Sequence, residues 1–140
     1  MILKLFVIGG VFAICVAVHA LFSLWSVKVI GPRLQRQGTS IHIVSTMVAV
    51  VCLLAMAHIC EIGLWATTMW LVGAIKAEDG PFYFAFTSYT TLGYGDVLAH
   101  QEWRLIGPAS AMNGVLLFGW STAVIFQVLQ SALRAGKLPD

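Results

Sequence analysis

Thr90-Thr91-Leu92-Gly93-Tyr94-Gly95-Asp96 stands between two apolar stretches of this chain. Taken alone, a Leu-Gly-Tyr-Gly-Asp run is an ordinary turn of soluble loops. Its surroundings here are different. It follows an aromatic segment that opens at Pro81, and it precedes a long apolar run that begins at Leu105. The nature of those flanks decides how the seven residues are read.

The 140 residues allow one domain. They are 59% hydrophobic and only 10% charged, with a mean hydropathy of +0.89, far from a soluble globular composition. Residues 5–27 and 105–133 carry no charge, and residues 41–75 carry only Glu61. Each window exceeds the roughly 20 residues that cross a bilayer as a helix. The expectation is an all-α membrane protein, a single domain over residues 1–140, with three transmembrane helices near residues 3–29, 42–75 and 104–133. The second is long enough to tilt or to project beyond the lipid. Residues 31–40, with Pro32 and Gly38, read as the turn between the first two. A net charge of +2 is too small to imply a nucleic-acid partner. Cys15, Cys52 and Cys60 fall inside the spans and read as buried free thiols rather than a disulfide framework. No nucleophile–base set, phosphate loop or paired carboxylates suggest an enzyme. No soluble ligand domain is legible, and no span repeats arginine at every third position as a voltage sensor does.

In this setting Thr91-Leu92-Gly93-Tyr94-Gly95-Asp96 resembles the selectivity filter of the potassium-channel pore-domain family, in the manner of a small bacterial member. The resemblance covers about residues 60–133. It implies a homotetramer with twelve spans, set among the lipids of a bacterial inner (plasma) membrane, with potassium ions and no other cofactor. The backbone carbonyls of Thr91, Leu92, Gly93 and Tyr94, with the Thr91 hydroxyl, would replace the water shell of the ion. Gly93 and Gly95 have a steric reason: the carbonyls face one axis only if alternate residues take positive φ, which glycine does cheaply. The family also packs the Tyr94 ring against pore-helix aromatics, for which Tyr83, Phe84 and Phe86 are the candidates. Asp96 follows the filter as in the family, where it is often tied to a pore-helix tryptophan. The matching position here is Tyr83, whose hydroxyl can donate instead. Thr87 stands where some bacterial members carry glutamate, so the resemblance leaves inactivation behaviour open. Leu92 stands where valine or isoleucine is usual, and only its carbonyl must face the ion.

The pore segment reads as a re-entrant helix over Pro81 to about Thr90 and a filter loop, together about residues 81–96. Asp79 or Gly80 caps it, and Pro81 suits its first position. Phe82, Phe84, Ala85 and Phe86 form its apolar face. Its C-terminus directs negative partial charge toward a central cavity and favours a cation there. The third span resembles the inner helix of the family. Gly114 and Gly119 there serve either as a hinge or as close packing contacts. Helical spacing aligns Val115, Phe118, Thr122 and Phe126 on one stripe. If that stripe faces the axis, Phe126 is the narrowest candidate gate.

Orientation follows from basic residues. Lys28, Arg33, Arg36, Arg134 and Lys137 are expected in the cytoplasm, which places the N-terminus and the filter outside and the C-terminus inside. A cleaved signal peptide ending near Ala20 would put the filter on the wrong side, so the first span is read as retained. Glu78, Asp79, Asp96 and Glu102 then form either a cation-concentrating mouth or a solvated rim. His58 and Glu61, three apart on the second span, are either a proton sensor or a buried pair reaching His19. The first span, apolar on nearly every face, is expected to lie outside the second as a peripheral helix. Gly9, Gly10, Ala13, Ala17 and Ala20 would allow its close approach. A less selective cation channel and a non-conducting adaptor that keeps the pore fold are the alternatives.

Overall fold

Three long helices and one short helix make up the structure, a computed structural model that describes residues 2–34 and 40–135. They are α1 (Ile2–Leu34), α2 (Ser40–Leu71), α3 (Pro81–Tyr89) and α4 (Ile106–Ala135). No strand occurs among the described residues. Charge-free apolar segments of this length fold as helices because only an internally hydrogen-bonded backbone survives in lipid. The three long helices are each long and apolar enough to cross a membrane.

The helix ends differ from expectation for local reasons. α1 continues through Gly31 and Pro32 to Leu34, so the expected turn over residues 31–40 begins later. α2 stops at Leu71 rather than 75, because Gly73 takes φ +67. There the Gly73 N–H donates to the Trp70 carbonyl at 3.0 Å and the Ala74 N–H to the Met69 carbonyl at 2.8 Å, a Schellman stop. α3 begins behind Gly80 at φ +71, with Pro81 at its first position, where a missing N–H costs nothing. Of its expected apolar face, Phe84 and Ala85 are buried together with Tyr89, while Phe82 and Phe86 stay exposed in the single chain.

α2 and α4 pack along their lengths, and α3 is wedged between them at one end. The larger core cluster joins Cys15 of α1, Trp65 and Met69 of α2, Phe84 and Tyr89 of α3, and Leu117 of α4. A smaller one joins Val50 and Leu54 to Val124 and Val128 at the other end of α2 and α4. Trp65 Nε1 donates to Asn113 Oδ1 at 3.0 Å inside the larger cluster.

α1 is not merely outside α2; it lies against both α2 and α4. Its buried stripe is Cys15, His19, Ser23 and Ser26. Gly9, Gly10, Ala13 and Ala17 face away, and a Cβ on either glycine would meet nothing within 4 Å. The rotation of α1 is set instead by His19, which must find a polar partner at mid-span. Of the three cysteines only Cys15 is buried; Cys52 and Cys60 are exposed on the apolar outer face of α2. Arg36 and Lys137, used in the orientation argument, lie outside the described residues.

Candidate functional site

α3 ends at Tyr89, with Thr90 as its C-cap. The next six residues, 91–96, carry no regular structure, yet their backbone is ordered in a particular way. Thr91, Gly93 and Gly95 take φ of +61, +53 and +77. Positive φ at every second residue is the condition under which successive carbonyls turn to one side of a strand. Both glycines have room for a Cβ, since nothing lies within 4 Å of it, so conformation and not space requires glycine there. The strand is braced against α3. The Thr91 N–H donates to the Ser88 carbonyl at 2.9 Å, and the Gly93 N–H to the Thr87 carbonyl at 3.1 Å. Thr87 thus braces this strand through its backbone, while its hydroxyl donates to the Phe84 carbonyl at 3.1 Å. A cavity of about 550 Å³ lies beside this strand, lined among others by Thr87, Thr91, Gly93, Val97 and Gly107.

At the far end of the strand the Tyr83 hydroxyl donates to Asp96 Oδ2 at 2.6 Å, and Asp96 Oδ1 accepts from the Val97 N–H at 3.1 Å. The Tyr83 hydroxyl holds the Asp96 carboxyl below its usual range. Two other acidic groups of this rim have basic neighbours: Glu102 is 3.0 Å from Lys4, and Glu78 is 3.8 Å from Lys76. Leu92 and Tyr94 are exposed in the single chain.

α4 passes directly behind the last turn of α3. A Cβ on Gly114 would stand 2.1 Å from the Tyr89 carbonyl oxygen. Gly114 is therefore a close packing contact, and α4 is one continuous helix across it. A Cβ on Gly119 would meet nothing within 4 Å. Val115, Thr122 and Phe126 are exposed on α4 in the single chain, and Phe118 stands at the edge of that face. Phe118 also leans on the rings of His58 and Tyr89, at centroid distances of 4.6 and 5.6 Å.

Between the helices is a polar cluster that the sequence reading assembled only in part. His19 Nδ1 is 2.9 Å from Glu61 Oε1, and His58 Nδ1 is 3.1 Å from Glu61 Oε2. The buried pair with a bridge to α1 is therefore present, but it also takes in Tyr89, whose hydroxyl donates to Glu61, and Ser121 of α4. Tyr89 was hidden in the aromatic run of α3 and Ser121 among small residues of α4. The available signal was that polar side chains in charge-free windows must meet one another. His19, His58 and Glu61 bring ligand atoms within 4.8 Å of one another, close enough for one metal ion. Each of these atoms already has a hydrogen-bond partner in the chain. Cys60 is exposed and takes no part.

No curated protein and no solved structure matches the chain. A family model described as "Ion channel" matches residues 46–131, from the second turn of α2 through the strand at residues 91–96 to the last turns of α4. α1 lies outside the match. With well over half its length matched, and with three helices long and apolar enough to cross a membrane, the chain is an integral membrane protein of the two-transmembrane potassium-channel pore family.

Proposed function

We propose that four copies of this chain surround one axis and conduct potassium ions passively across the membrane. The observation that carries the reading is positive φ at Thr91, Gly93 and Gly95, alternating along Thr-Leu-Gly-Tyr-Gly directly after α3. That backbone lets the carbonyls of Thr91, Leu92, Gly93 and Tyr94 act as one ladder of ion ligands. Each layer replaces part of a potassium ion's hydration shell. One strand cannot enclose an ion, so the reading requires a homotetramer with twelve spanning helices. α3 is then the re-entrant pore helix, shielded from lipid by α2 and α4. Its C-terminal carbonyls favour a cation in the cavity below the filter. The outward face of α4 lines the path, with Phe126 as its cytoplasmic constriction. Lys28 and Arg134, at the same end of the bundle, support a cytoplasmic C-terminus.

The test is ion flux from liposomes holding the purified protein, with potassium and sodium on opposite sides, beside native mass measurement in mild detergent. The expected outcome is a tetramer that passes potassium in strong preference to sodium. Equal permeability would leave a general cation channel. Absence of current, or a monomer or dimer as the largest species, would reject the pore.

A further inference from the structure

The polar cluster draws one side chain from α1, two from α2, one from α3 and one from α4. Glu61 touches His19 Nδ1 through one oxygen and His58 Nδ1 through the other, at 2.9 and 3.1 Å. The opposite ring nitrogens both reach one hydroxyl: Ser121 Oγ lies 3.2 Å from His19 Nε2 and 2.9 Å from His58 Nε2. These four contacts close a ring, Glu61–His19–Ser121–His58–Glu61. The side chains of His19 and Glu61 are 0% exposed and that of His58 is 12% exposed.

Each contact in such a ring needs one proton. Two neutral imidazoles and one hydroxyl bring three. The fourth resides on Glu61, or on an imidazole facing an ionised Glu61, and in both cases the ring is neutral as a whole. A missing proton sets two lone pairs face to face, and an extra one sets two hydrogens face to face. Either is costly for side chains as buried as these. The ring is thus complete in one composition, and every member is necessary to it.

Tyr89 is attached to the ring from outside. Its hydroxyl donates to Glu61 Oε2 and lies 3.0 Å from His58 Nδ1. Its backbone carbonyl occupies the place a Gly114 side chain would take. Tyr89 ends α3 two residues before Thr91, where the strained backbone begins. We propose that His19, His58, Glu61 and Ser121 are positioning residues for the conduction path, a closed hydrogen-bond ring that anchors the Tyr89 hydroxyl and through it the inner end of the filter strand. α1 then belongs to the filter's support although it lies outside the family match. The functional arm of this inference rests on the conduction reading; its structural arm does not.

Pairs of variants equal in size but different in hydrogen bonding provide the test. Ser121→Thr keeps the hydroxyl, and Ser121→Val has the same shape without it. Glu61→Gln keeps one donor and one acceptor, as the protonated acid does, while Glu61→Met keeps only bulk. Hydrogen exchange of the backbone amides of residues 90–95 and potassium flux are read on the same purified preparations. Ser121→Thr and Glu61→Gln are expected to match the unmodified protein. Ser121→Val and Glu61→Met are expected to exchange faster and to lose flux by about tenfold or more, the shift that one orphaned buried polar group imposes. Tyr89→Phe leaves the ring closed and is expected to show the same loss, with no further loss when Ser121→Val is added. If Ser121→Val does not assemble, Tyr89→Phe decides on the same two readouts. Equal exchange within each pair overturns the inference. So does a chelator that speeds exchange in the unmodified protein, since a cation would then be holding these side chains. Absence of potassium flux in the unmodified protein defeats the conduction reading alone, and the exchange comparison still decides the ring.

Discussion

Thr91 holds a φ of +61, a conformation that costs a β-branched residue about 1–3 kcal/mol. Such strain persists only where neighbours over-determine it. The bonds from Thr91 to Ser88 and from Gly93 to Thr87 brace the strand on both sides of Leu92. Gly93, at φ +53, has free space around it. Gly93→Ala therefore meets no clash within its own chain and acts through backbone conformation. Potassium flux is expected to be abolished while native mass still shows the assembled protein; unchanged flux would mean that positive φ at 93 is not needed. At the outer end of the strand, the Tyr83 hydroxyl lowers the Asp96 carboxyl. A depressed carboxyl contributes stability that is present above its ordinary pKa, about 3.9, and is lost as pH falls through the lower folded value. Tyr83→Phe removes the donor. The Asp96 carboxyl, followed by NMR on labelled aspartate, is then expected to titrate at higher pH than in the unmodified protein.

Among the elements, α4 carries the sharpest contrast. Gly114 has no room for a methyl, because the Tyr89 carbonyl stands 2.1 Å from where it would be; Gly119 has nothing within 4 Å. Gly114→Ala must move α4 or the end of α3, at a cost of about 1–3 kcal/mol or more. Gly119→Ala gains up to about 1 kcal/mol of helix propensity. Thermal unfolding in detergent is expected to show a lowered midpoint for the first and an unchanged or raised one for the second. The existence of the long helices was legible from charge-free windows, and α3 from Gly80-Pro81. Their ends were not. α2 stops where Gly73 adopts a left-handed turn, and an apolar window does not show which glycine will do so. Within the chain α1 turns His19 inward, while Gly9, Gly10, Ala13 and Ala17 face away from α2 and α4. The Ser121 partner of His19 lies 102 residues away, beyond any local pattern. In the site, the positive-φ glycines at 93 and 95 and the Tyr83–Asp96 pair were expected from the resemblance to the potassium-channel family. Thr87 acts through its carbonyl, and Tyr89 through a hydroxyl among aromatics, and neither role leaves a mark on the residue string.

At the scale of the whole molecule, α1 contributes one polar side chain, His19, to the contacts that join it to α2 and α4. Without α1, Glu61 Oε1 loses its His19 partner, and a polar group without a partner at the centre of a spanning helix is costly. A chain beginning at residue 40 is expected to yield much less tetramer by native mass than the full chain. Adding Glu61→Met to that shortened chain is expected to restore much of the yield. Equal yields from the short and full chains would show that α1 carries no such role. The contact between His19 and Glu61 also has a consequence for biogenesis. Synthesis runs from the N-terminus, so α1 is made before α2 leaves the ribosome. The His19 imidazole is therefore already made when the Glu61 carboxyl follows it, and both ends of this contact exist before α3 and α4 have been synthesised.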